Sequence, residues 1–299
     1  MRVVPLASES LGVRSLATFV EASGFGILID PGVALGPKRY GLPPARIEIE
    51  TLERMRKKIQ AYARRADVVT ISHYHYDHHT PFFEGLYESS GEAYAREIYE
   101  GKLLLIKHPT ENINFSQKKR AWAFLKNAEL IAKTIEFADG RSFDLGGLML
   151  EFSPAVPHGR EGSKLGFVVM TLIDDGYRLI HASDIQLLNR KAVEWIISKN
   201  PDLLITGGPP TYLGPRAAGS WEEGIRNLNE IIRETNAEVI LDHHVVRDKR
   251  YPRFFEELEK TPKTFASYMK VEDRPLEAYR RELHKIERGE EAKVPFRLG

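Results

Sequence analysis

The chain contains no cysteine, and this absence excludes several kinds of site. Its 299 residues can form no disulfide, cysteine nucleophile, thiolate zinc site or iron–sulfur cluster. Any metal must therefore be bound by imidazole and carboxylate groups. Glutamine is also scarce, since Gln60, Gln117 and Gln186 are the only three. Together with a charged fraction of 28%, these shortages indicate a heat-adapted source.

An excess of charge of either sign is also missing. The 43 Lys and Arg residues nearly balance the 42 Asp and Glu residues, which leaves a net charge of +1. RNA or DNA is therefore not indicated as a partner, although a local basic patch could still bind one. No apolar run approaches the roughly 18 residues of a membrane span, and the N-terminus does not look like a signal peptide. We expect a soluble, cytoplasmic protein without membrane contact, and the sequence leaves its oligomeric state open.

The order of the predicted elements indicates a single α/β domain over residues 1–299. Short strands rich in β-branched residues come first, followed by a helix over 47–66 and a buried strand over 68–71. Residues 80–133 look like a helical insertion. Strands and helices then alternate up to a charged, mostly helical C-terminal tail at about 262–299. Two sheets packed face to face, with helices outside them, are the simplest arrangement of these elements.

Histidine is concentrated in four places, which together contain eight of the ten. The first place is the run HYHYDHH over 73–79, directly after the buried strand. Alternate side chains of an extended segment point the same way, so His73, His75 and Asp77 could converge while His78 turns to the other side. Such a loop could hold a pair of adjacent metal ions, which bind imidazole in its neutral form. A surface loop rich in histidine by chance is a poor explanation directly after a buried strand.

Further candidate ligands follow later strands. His158 comes after one strand, Asp184 after the next, and the pair His243 and His244 after the last. Taken alone, each has an ordinary explanation. Asp184 could equally be a helix N-cap. His181 lies three residues before it and thus on the opposite face of the strand, where a core histidine is as good an explanation as a functional one.

These motifs together resemble the metallo-β-lactamase superfamily. The resemblance covers most of the chain, and its motifs come in the family's order: Asp30-Pro31-Gly32 after the third strand, HxHxDH over 73–78, His158, Asp184 and Asp242-His243-His244. It implies an αββα four-layer sandwich, in which two mixed β-sheets pack together with helices outside and metals at one edge. The whole chain is also similar to an archaeal branch of that superfamily.

The resemblance also implies a centre of two divalent metal ions. Its ligands would be His73, His75 and His158 for the first metal, Asp77, His78 and one of His243 or His244 for the second, and Asp184 bridging both. Residues 241–247 resemble the THFSPR pattern of the superfamily's tRNA-processing nucleases, and this favours His243. His244 would then support a ligand or contact substrate. Asp30 would orient the motif loop by hydrogen bonding from behind the ligands, and His181 is a second candidate for such a role.

Imidazole and carboxylate ligands suit zinc, with manganese and iron as alternatives. The superfamily's di-iron oxidoreductases usually carry glutamate at the place of His75, so histidine there favours a hydrolase over a non-hydrolytic di-iron redox protein. Two cations about 3.5–4 Å apart would convert a bridging water to hydroxide near neutral pH. We count Asp77, His79 and His244 as candidate catalytic residues. The proton donor is left open among His79, His244 and His181, in that order.

Basic residues flank the candidate ligands in sequence and suggest an anionic substrate. Arg160 and Lys164 follow His158, and Arg247 follows the last histidines. Tyr212 either lies near the substrate or belongs to an ordinary turn. We therefore expect a hydrolase of a phosphodiester or another anionic ester, acting on a small-molecule or nucleotide-type substrate. Hydrolysis of carboxylic esters, thioesters or lactones is the alternative.

Overall fold

The computed structural model describes residues 1–88 and 91–298 and contains two six-stranded sheets. The strands of the first sheet, in their order across it, are β1 (Arg2–Ser8), β2 (Leu16–Ala22), β3 (Phe25–Ile29), β4 (Val68–Ile71), β5 (Leu103–Ile106) and β6 (Thr134–Phe137). β1 to β3 pair antiparallel, whereas β3 to β6 are parallel. Parallel neighbours need crossover connections, which are the helices α1 (Arg46–Ala63), α2 (Glu92–Tyr99) and α3 (Phe115–Ala128).

The second sheet mixes both pairings as well. Its strands are β7 (Ser142–Asp144), β8 (Met149–Phe152), β11 (Thr171–Asp174), β12 (Arg178–His181), β13 (Leu203–Gly207) and β14 (Glu238–Asp242), with β14 at one edge and β7 at the other. A separate hairpin joins β9 (Val156–Pro157) to β10 (Phe167–Val168). The helices that follow are α4 (Arg190–Lys199), α5 (Ser220–Thr235) and α6 (Tyr251–Glu256).

Three apolar layers hold these elements together. One lies between the first sheet and α1 to α3 and includes Leu52 and Phe124. The middle layer joins the two sheets and includes Leu105 and Ile205. The third lies between the second sheet and α4 to α6 and includes Ile231. This succession of helices, sheet, sheet and helices confirms the predicted αββα sandwich. Among the described residues, no helix combines the length and the apolar character that crossing a membrane requires.

The segment 80–133, predicted as a helical insertion, is part of the sandwich itself. Its strand β5 lies inside the first sheet between β4 and β6, and its helices α2 and α3 cover that sheet's outer face. Residues 89 and 90 of this segment lie outside the described residues. The segment thus continues the first sheet and the helical layer outside it. Its apolar pattern is in fact that of two ordinary strand–helix crossovers.

The charged C-terminal segment, predicted at about 262–299, packs against the domain; residue 299 lies outside the described residues. It contains α7 (Phe265–Tyr268), a 3-10 helix (Leu276–Tyr279) and α8 (Arg280–Glu287). Phe265 belongs to the layer between the sheets. Arg280 is fully buried and forms an ion pair with Glu48 of α1 at 2.7 Å. Charge in the sequence therefore does not mark an exposed tail here, because buried charges are compensated by partners distant in the chain.

The topology gathers the motif residues at one edge of the sandwich. Asp30 directly follows β3, and His73 follows β4 by two residues in the parallel part of the first sheet. Asp184 and His243 follow β12 and β14 in the parallel part of the second sheet. The carboxyl ends of these strands lie at the same edge, which is where loops of open α/β sheets form binding sites.

Candidate metal centre

The histidine-rich loop after β4 is a turn rather than the extended segment that the sequence predicted. The backbone N–H groups of His78 and His79 both donate to the carbonyl of His75, at 3.0 and 3.1 Å. This turn brings His78 round to the same side as His73. The predicted convergence of ligands is therefore found, but it comes from a turn and not from strand alternation.

A close backbone approach holds this turn in place. A Cβ atom on Gly32 would lie 2.3 Å from the backbone nitrogen of His79 and 2.5 Å from that of His78. Only glycine lets the loop after β3 approach the motif turn this closely. Asp30 and His243 have φ values of 47° and 59°, in the left-handed region that non-glycine residues rarely adopt. Such strained residues collect at sites where geometry matters more than local stability.

The imidazoles converge on the carboxylate of Asp184. Five Nε2 atoms approach its oxygens, at 3.0 Å for His158, 3.2 Å for His78, 3.2 Å for His243, 3.4 Å for His244 and 3.7 Å for His73. Asp184 is 1% exposed, so this contact takes place out of solvent. A carboxylate in this position can offer one oxygen to each of two neighbouring ions.

The candidate ligands fall into groups, one of which contains Asp184 and another of which contacts it through His78 and His243. His73, His75, His158 and Asp184 each offer an atom within 4.8 Å of the others, as do Asp77, His78 and His243. Ligand atoms bound tetrahedrally to zinc at 2.0–2.1 Å lie roughly 3.3 Å apart. The distances around Asp184 scatter about that value. The predicted ligands of both metals are thus brought together, and their roles as ligands remain predictions.

Besides Nδ1 of His244, two buried atoms of this cluster have no hydrogen-bond partner among the described residues: Nε2 of His158 and Oδ1 of Asp184. Buried polar atoms are nearly always paired, and an unpaired one needs an explanation such as an absent ion. Cations bound between the groups would satisfy both atoms. The donor set, which combines imidazoles and carboxylates, also suits divalent transition metals. The residues present therefore fit a metal centre.

Asp30 hydrogen-bonds one of the candidate ligands, and the supporting role predicted for it remains a prediction. Its carboxylate accepts from Nδ1 of His78 at 2.9 Å, from the backbone N–H of Ser72 at 2.8 Å and from the Ser183 hydroxyl at 2.8 Å. The bond to Nδ1 leaves Nε2 of His78 facing Asp184. Holding the far nitrogen of a ligand histidine is how proteins orient such ligands.

Glu9 does the same for His243 and was not found from the sequence. Its Oε2 accepts from Nδ1 of His243 at 2.7 Å, and its Oε1 accepts from Nε of Arg247 at 2.5 Å. Glu9 lies in a 3-10 helix over Glu9–Leu11 directly after β1, far from every motif in the sequence. A glutamate in a short run with Ser8 and Ser10 gives no signal of its own, because only the fold brings it to the site.

Asp242 joins three distant parts of the chain beneath the site. It accepts from the backbone N–H of Ser10 at 3.1 Å, from the Ser8 hydroxyl at 3.1 Å and from the backbone N–H of Phe265 at 2.8 Å. It also accepts from the N–H of His243 at 2.7 Å. Burial raises the pKa of Asp242 to about 6. Asp242 thus fixes the backbone from which His243 extends.

The electrostatics of the cluster favour a cation. Burial would raise the pKa of Asp184, but the imidazoles of His243 and His244 outweigh it and hold that pKa well below its usual range. Burial also disfavours the charged form of His243, yet Asp184 and Glu9 raise its pKa to about 9. Burial and the neighbouring His158 lower the pKa of His75 to about 3. Metal binding would replace the proton on His243, since a ligand imidazole must be neutral.

The three candidate proton donors lie in different places. His244 borders the cavity in front of the cluster and contacts Asp184. His79 packs among aromatic rings behind the motif turn, its Nδ1 bonds the carbonyl of His75 at 2.9 Å, and burial lowers its pKa to about 4. His181 lies between the sheets, where its Nε2 donates to the carbonyl of Leu16 at 2.9 Å. The order predicted from the sequence, with His79 first, is not supported by these positions.

A cavity of about 660 Å³ opens in front of the cluster. Three arginines line it: Arg14, Arg120 and Arg247. Arg14 is bound by both oxygens of Glu277 at 2.6 Å, and Arg247 is buried between Glu9 and Asp77. Tyr212 lines the same cavity, and its hydroxyl lies 3.3 Å from Nη1 of Arg247. The predicted substrate contacts Tyr212 and Arg247 therefore lie at the cavity.

Two predicted substrate contacts lie elsewhere. Arg160 is exposed and donates to the Glu223 carboxylate of α5 and to the carbonyl of Ala218, outside the cavity. Lys164 is also exposed, and its neighbour Leu165 lines the cavity instead. The interpretation of both residues rested on their closeness to His158 in sequence. The turn after His158 instead brings Arg160 to α5, and the carbonyl of Lys164 accepts from the Asn114 side chain at the start of α3 at 2.8 Å.

Comparisons with known proteins identify the family of this chain. The sequence model of the family described as a beta-lactamase superfamily domain matches residues 26–219. A UPF0282 protein of Thermococcus gammatolerans is 84% identical over 300 residues and covers 100% of both chains. A UPF0282 protein of Pyrococcus horikoshii is 68% identical over 296 residues, which is 99% of this chain and 96% of the relative.

A comparison with solved structures shows a similar fold. The chain is similar to a metal-dependent hydrolase of the beta-lactamase superfamily, with a TM-score of 0.53, 16% sequence identity and coverage of 88% of this chain and 94% of that one. The superfamily resemblance and the archaeal branch predicted from the motifs are confirmed. The chain belongs to the UPF0282 family, an archaeal branch of the beta-lactamase superfamily.

Proposed function

We propose that this chain is a metal-dependent hydrolase of phosphodiesters or closely related anionic esters, with a dinuclear and preferably zinc centre. The proposal rests above all on the position of Asp184. Its carboxylate lies between two ligand groups and also borders the cavity. A site built in this way can hold two ions side by side and present both to one substrate group.

Two divalent cations bound there would supply a hydroxide near neutral pH and neutralise negative charge on the reacting oxygen. The chain needs no serine or cysteine nucleophile for such a reaction. Its own contribution is to position the ligands. Asp30 and Glu9 fix the ring orientations of His78 and His243, so that the ligand nitrogens are held before an ion binds.

Charge around the cavity supports an anionic substrate. Arg247 and Arg14 line the cavity, but each is paired with a carboxylate, so each offers only part of its hydrogen-bonding capacity. Arg120 makes no ion pair among the described residues, and its one hydrogen bond is a long one of 3.4 Å to the carbonyl of Tyr74. A guanidinium with free N–H groups matches two oxygens of a phosphate or carboxylate.

His244 is the residue best placed to serve the leaving group. It borders the cavity, and its Nε2 lies 3.4 Å from the bridging carboxylate. Burial, which outweighs the attraction of Asp184, holds its pKa well below the usual value, so the ring is neutral near pH 7. A neutral imidazole carries one N–H, which can donate to an oxygen on which charge develops.

Elemental analysis paired with a substrate panel tests the proposal. Protein reconstituted separately with zinc, manganese and iron is assayed on bis-aryl phosphates, cyclic nucleotides, carboxylic esters, thioesters and lactones. We expect about two metals per chain and turnover of the phosphodiesters above that of the other esters. Turnover confined to carboxylic esters or lactones would instead establish the alternative substrate class. Two irons with oxygen consumption and no hydrolysis would establish a redox protein.

A further inference from the structure

A second, smaller cavity lies beside the one in front of the candidate metal centre. It measures about 240 Å³ and is lined by residues of the motif turn, the following loop and α3. Tyr76 and Arg120 line both cavities, so the two spaces share a wall. A volume below the roughly 300 Å³ of drug-sized pockets fits one part of a ligand rather than a whole one.

The wall between the cavities is a stacked pair. The guanidinium carbon of Arg120 lies 4.4 Å from the centre of the Tyr76 ring, an arrangement that holds the cation over the face of the ring. His75 and Asp77, the neighbours of Tyr76, line the metal-side cavity. A substrate that crosses this wall would therefore have its anionic group near the ligands and its remainder in the second cavity, with Arg120 between them.

Flat rings dominate the second cavity. Phe82, Phe83 and Phe124 line it together with Tyr76 and His79. Neighbouring rings lie 5.3 to 6.0 Å apart, as between Tyr76 and Phe83 and between Phe82 and Phe124. Aromatic walls of this kind, beside a guanidinium, bind other flat rings by stacking.

His79 and Asn127 add polar side chains to this lining, and the hydrogen bond of His79 defines the character of its ring nitrogens. The carbonyl of His75 can only accept, so Nδ1 of His79 must donate to it and carries the ring proton. Nε2 of His79 is then an acceptor on a ring that lines the second cavity. The cavity thus offers aromatic faces, Nε2 of His79 and the side-chain amide of Asn127, which together complement a planar ring with an N–H donor.

We propose that the second cavity is a subsite for the nucleobase of a nucleotide-type substrate. The base stacks against the aromatic walls and donates to Nε2 of His79, while Arg120 contacts the sugar-phosphate part as it passes over the wall. This inference rests on the proposed phosphodiester hydrolase and specifies its substrate class.

Binding of a matched pair of ligands tests the subsite without turnover. Calorimetric titration of the metal-reconstituted protein compares adenosine 5′-monophosphate with ribose 5-phosphate, which lacks only the base. We expect the nucleotide to bind about tenfold more tightly or better, because stacking of one base commonly contributes that much. Equal affinities in the wild-type protein would overturn the inference.

A variant that fills the second cavity tests whether the base binds there. Ala123 is an exposed residue of α3 that lines the second cavity. Ala123→Phe should reduce the affinity ratio of the two ligands to about one. Ser116→Phe adds the same side chain to another exposed position of α3 and should preserve the ratio. A ratio that survives Ala123→Phe in a folded protein would overturn the location of the subsite.

The two proposals fail in distinguishable ways. If no phosphodiester is hydrolysed but the nucleotide still binds more tightly than ribose 5-phosphate, the proposed reaction is wrong and the subsite stands. If bis-aryl phosphates are hydrolysed but the two ligands bind equally, the reaction stands and the subsite is wrong. Circular dichroism of each variant separates a filled cavity from a misfolded chain.

Discussion

Glu9 accepts a hydrogen bond from Nδ1 of His243 at 2.7 Å, although the two residues are 234 positions apart in the chain. The same carboxylate binds Arg247, which in turn contacts Asp77. One buried acid near the N-terminus therefore connects two candidate ligands of the second metal. Its bond to Nδ1 leaves Nε2 as the nitrogen of His243 that could bind a metal.

Replacing Glu9 by glutamine should weaken one metal site selectively. The amide keeps the size of the side chain but removes the charge that holds His243. Loss of such a support commonly costs about 10- to 100-fold in metal affinity. Competition titration with a chelator should show one weakened and one unchanged metal per chain. Glu21→Gln, at a surface pair with Arg2, serves as the control. Two unchanged affinities would mean that His243 does not need this support.

Replacing His243 and replacing His244 should have different effects on metal content and on kcat. His243 shares candidate ligand groups with Asp77 and with Asp184, whereas His244 shares one only with Asp184 and His243 and also borders the cavity. We expect His243→Ala to reduce the metal content to about one per chain, and His244→Ala to retain the metals while lowering kcat by about 10²-fold or more. Mass spectrometry of the native protein and steady-state kinetics measure the two effects. If His244→Ala lost a metal and His243→Ala lowered only kcat, His244 would be the ligand and His243 the catalytic residue.

Removal of Asp77 or His158 should affect metal and activity together. The two residues belong to different ligand groups. Each alanine variant should therefore lose about one metal per chain and hydrolyse phosphodiesters far more slowly than the wild type. His108→Ala, in a histidine outside both groups, is the matched control. A variant that retains the full metal content would show that its residue is not a ligand.

The ion pair between Arg14 and Glu277 should make the free energy of unfolding depend on pH in the acidic range. Burial would raise the pKa of Glu277, but Arg14 outweighs it and lowers the pKa to about 2 from its usual 4.5. A lowered pKa stabilises the fold above the unfolded value, and the stabilisation is lost as the pH falls from 4.5 to about 2. The full stabilisation of the fold by the lowered pKa is about 3 kcal/mol.

Glu277→Gln should therefore lower the free energy of unfolding by about that amount near pH 7 and by progressively less below pH 4.5. Denaturant titrations at several pH values measure the difference. Glu290→Gln, at an exposed pair with Arg288, should leave the free energy of unfolding nearly unchanged. A difference that stays constant down to about pH 2 would mean that Glu277 is not the group that titrates.

The sequence predicted those parts of the fold that depend on local pattern. Apolar spacing predicted a helix over 47–66, and the structure has it over Arg46–Ala63. It did not reveal β7, which has three residues and one half-buried side chain. It predicted a charged, mostly helical C-terminal segment, which in the structure contains α7 and α8, but it gave no sign of how this segment packs. The buried position of Arg280 depends on Glu48, and no local pattern marks that contact.

For the candidate site, too, the sequence predicted what depends on local pattern and missed what depends on packing. The ligand motifs are compact and lie at strand ends, so the sequence predicted which side chains would meet. The supporting residues are single positions whose role depends on packing. Glu9 and Arg14 come from the N-terminal strand region, and Gln186 approaches Nδ1 of His158 at 3.4 Å. Closeness in sequence was a poor guide to substrate contacts, as the outward position of Arg160 shows.

The bonds of Asp242 to Ser8, Ser10 and Phe265 have a consequence for how the protein matures. A chain still attached to the ribosome, with residues beyond Asp242 not yet emerged, has the motif loop over 73–79 but lacks His243 and its anchor. The group of Asp77, His78 and His243 can form only when the segment around Ser8 meets the segments around Asp242 and Phe265. Uptake of a second metal is therefore expected to follow the emergence of Phe265 from the ribosome, whereas the group of His73, His75, His158 and Asp184 lies wholly in the part of the chain that is made earlier.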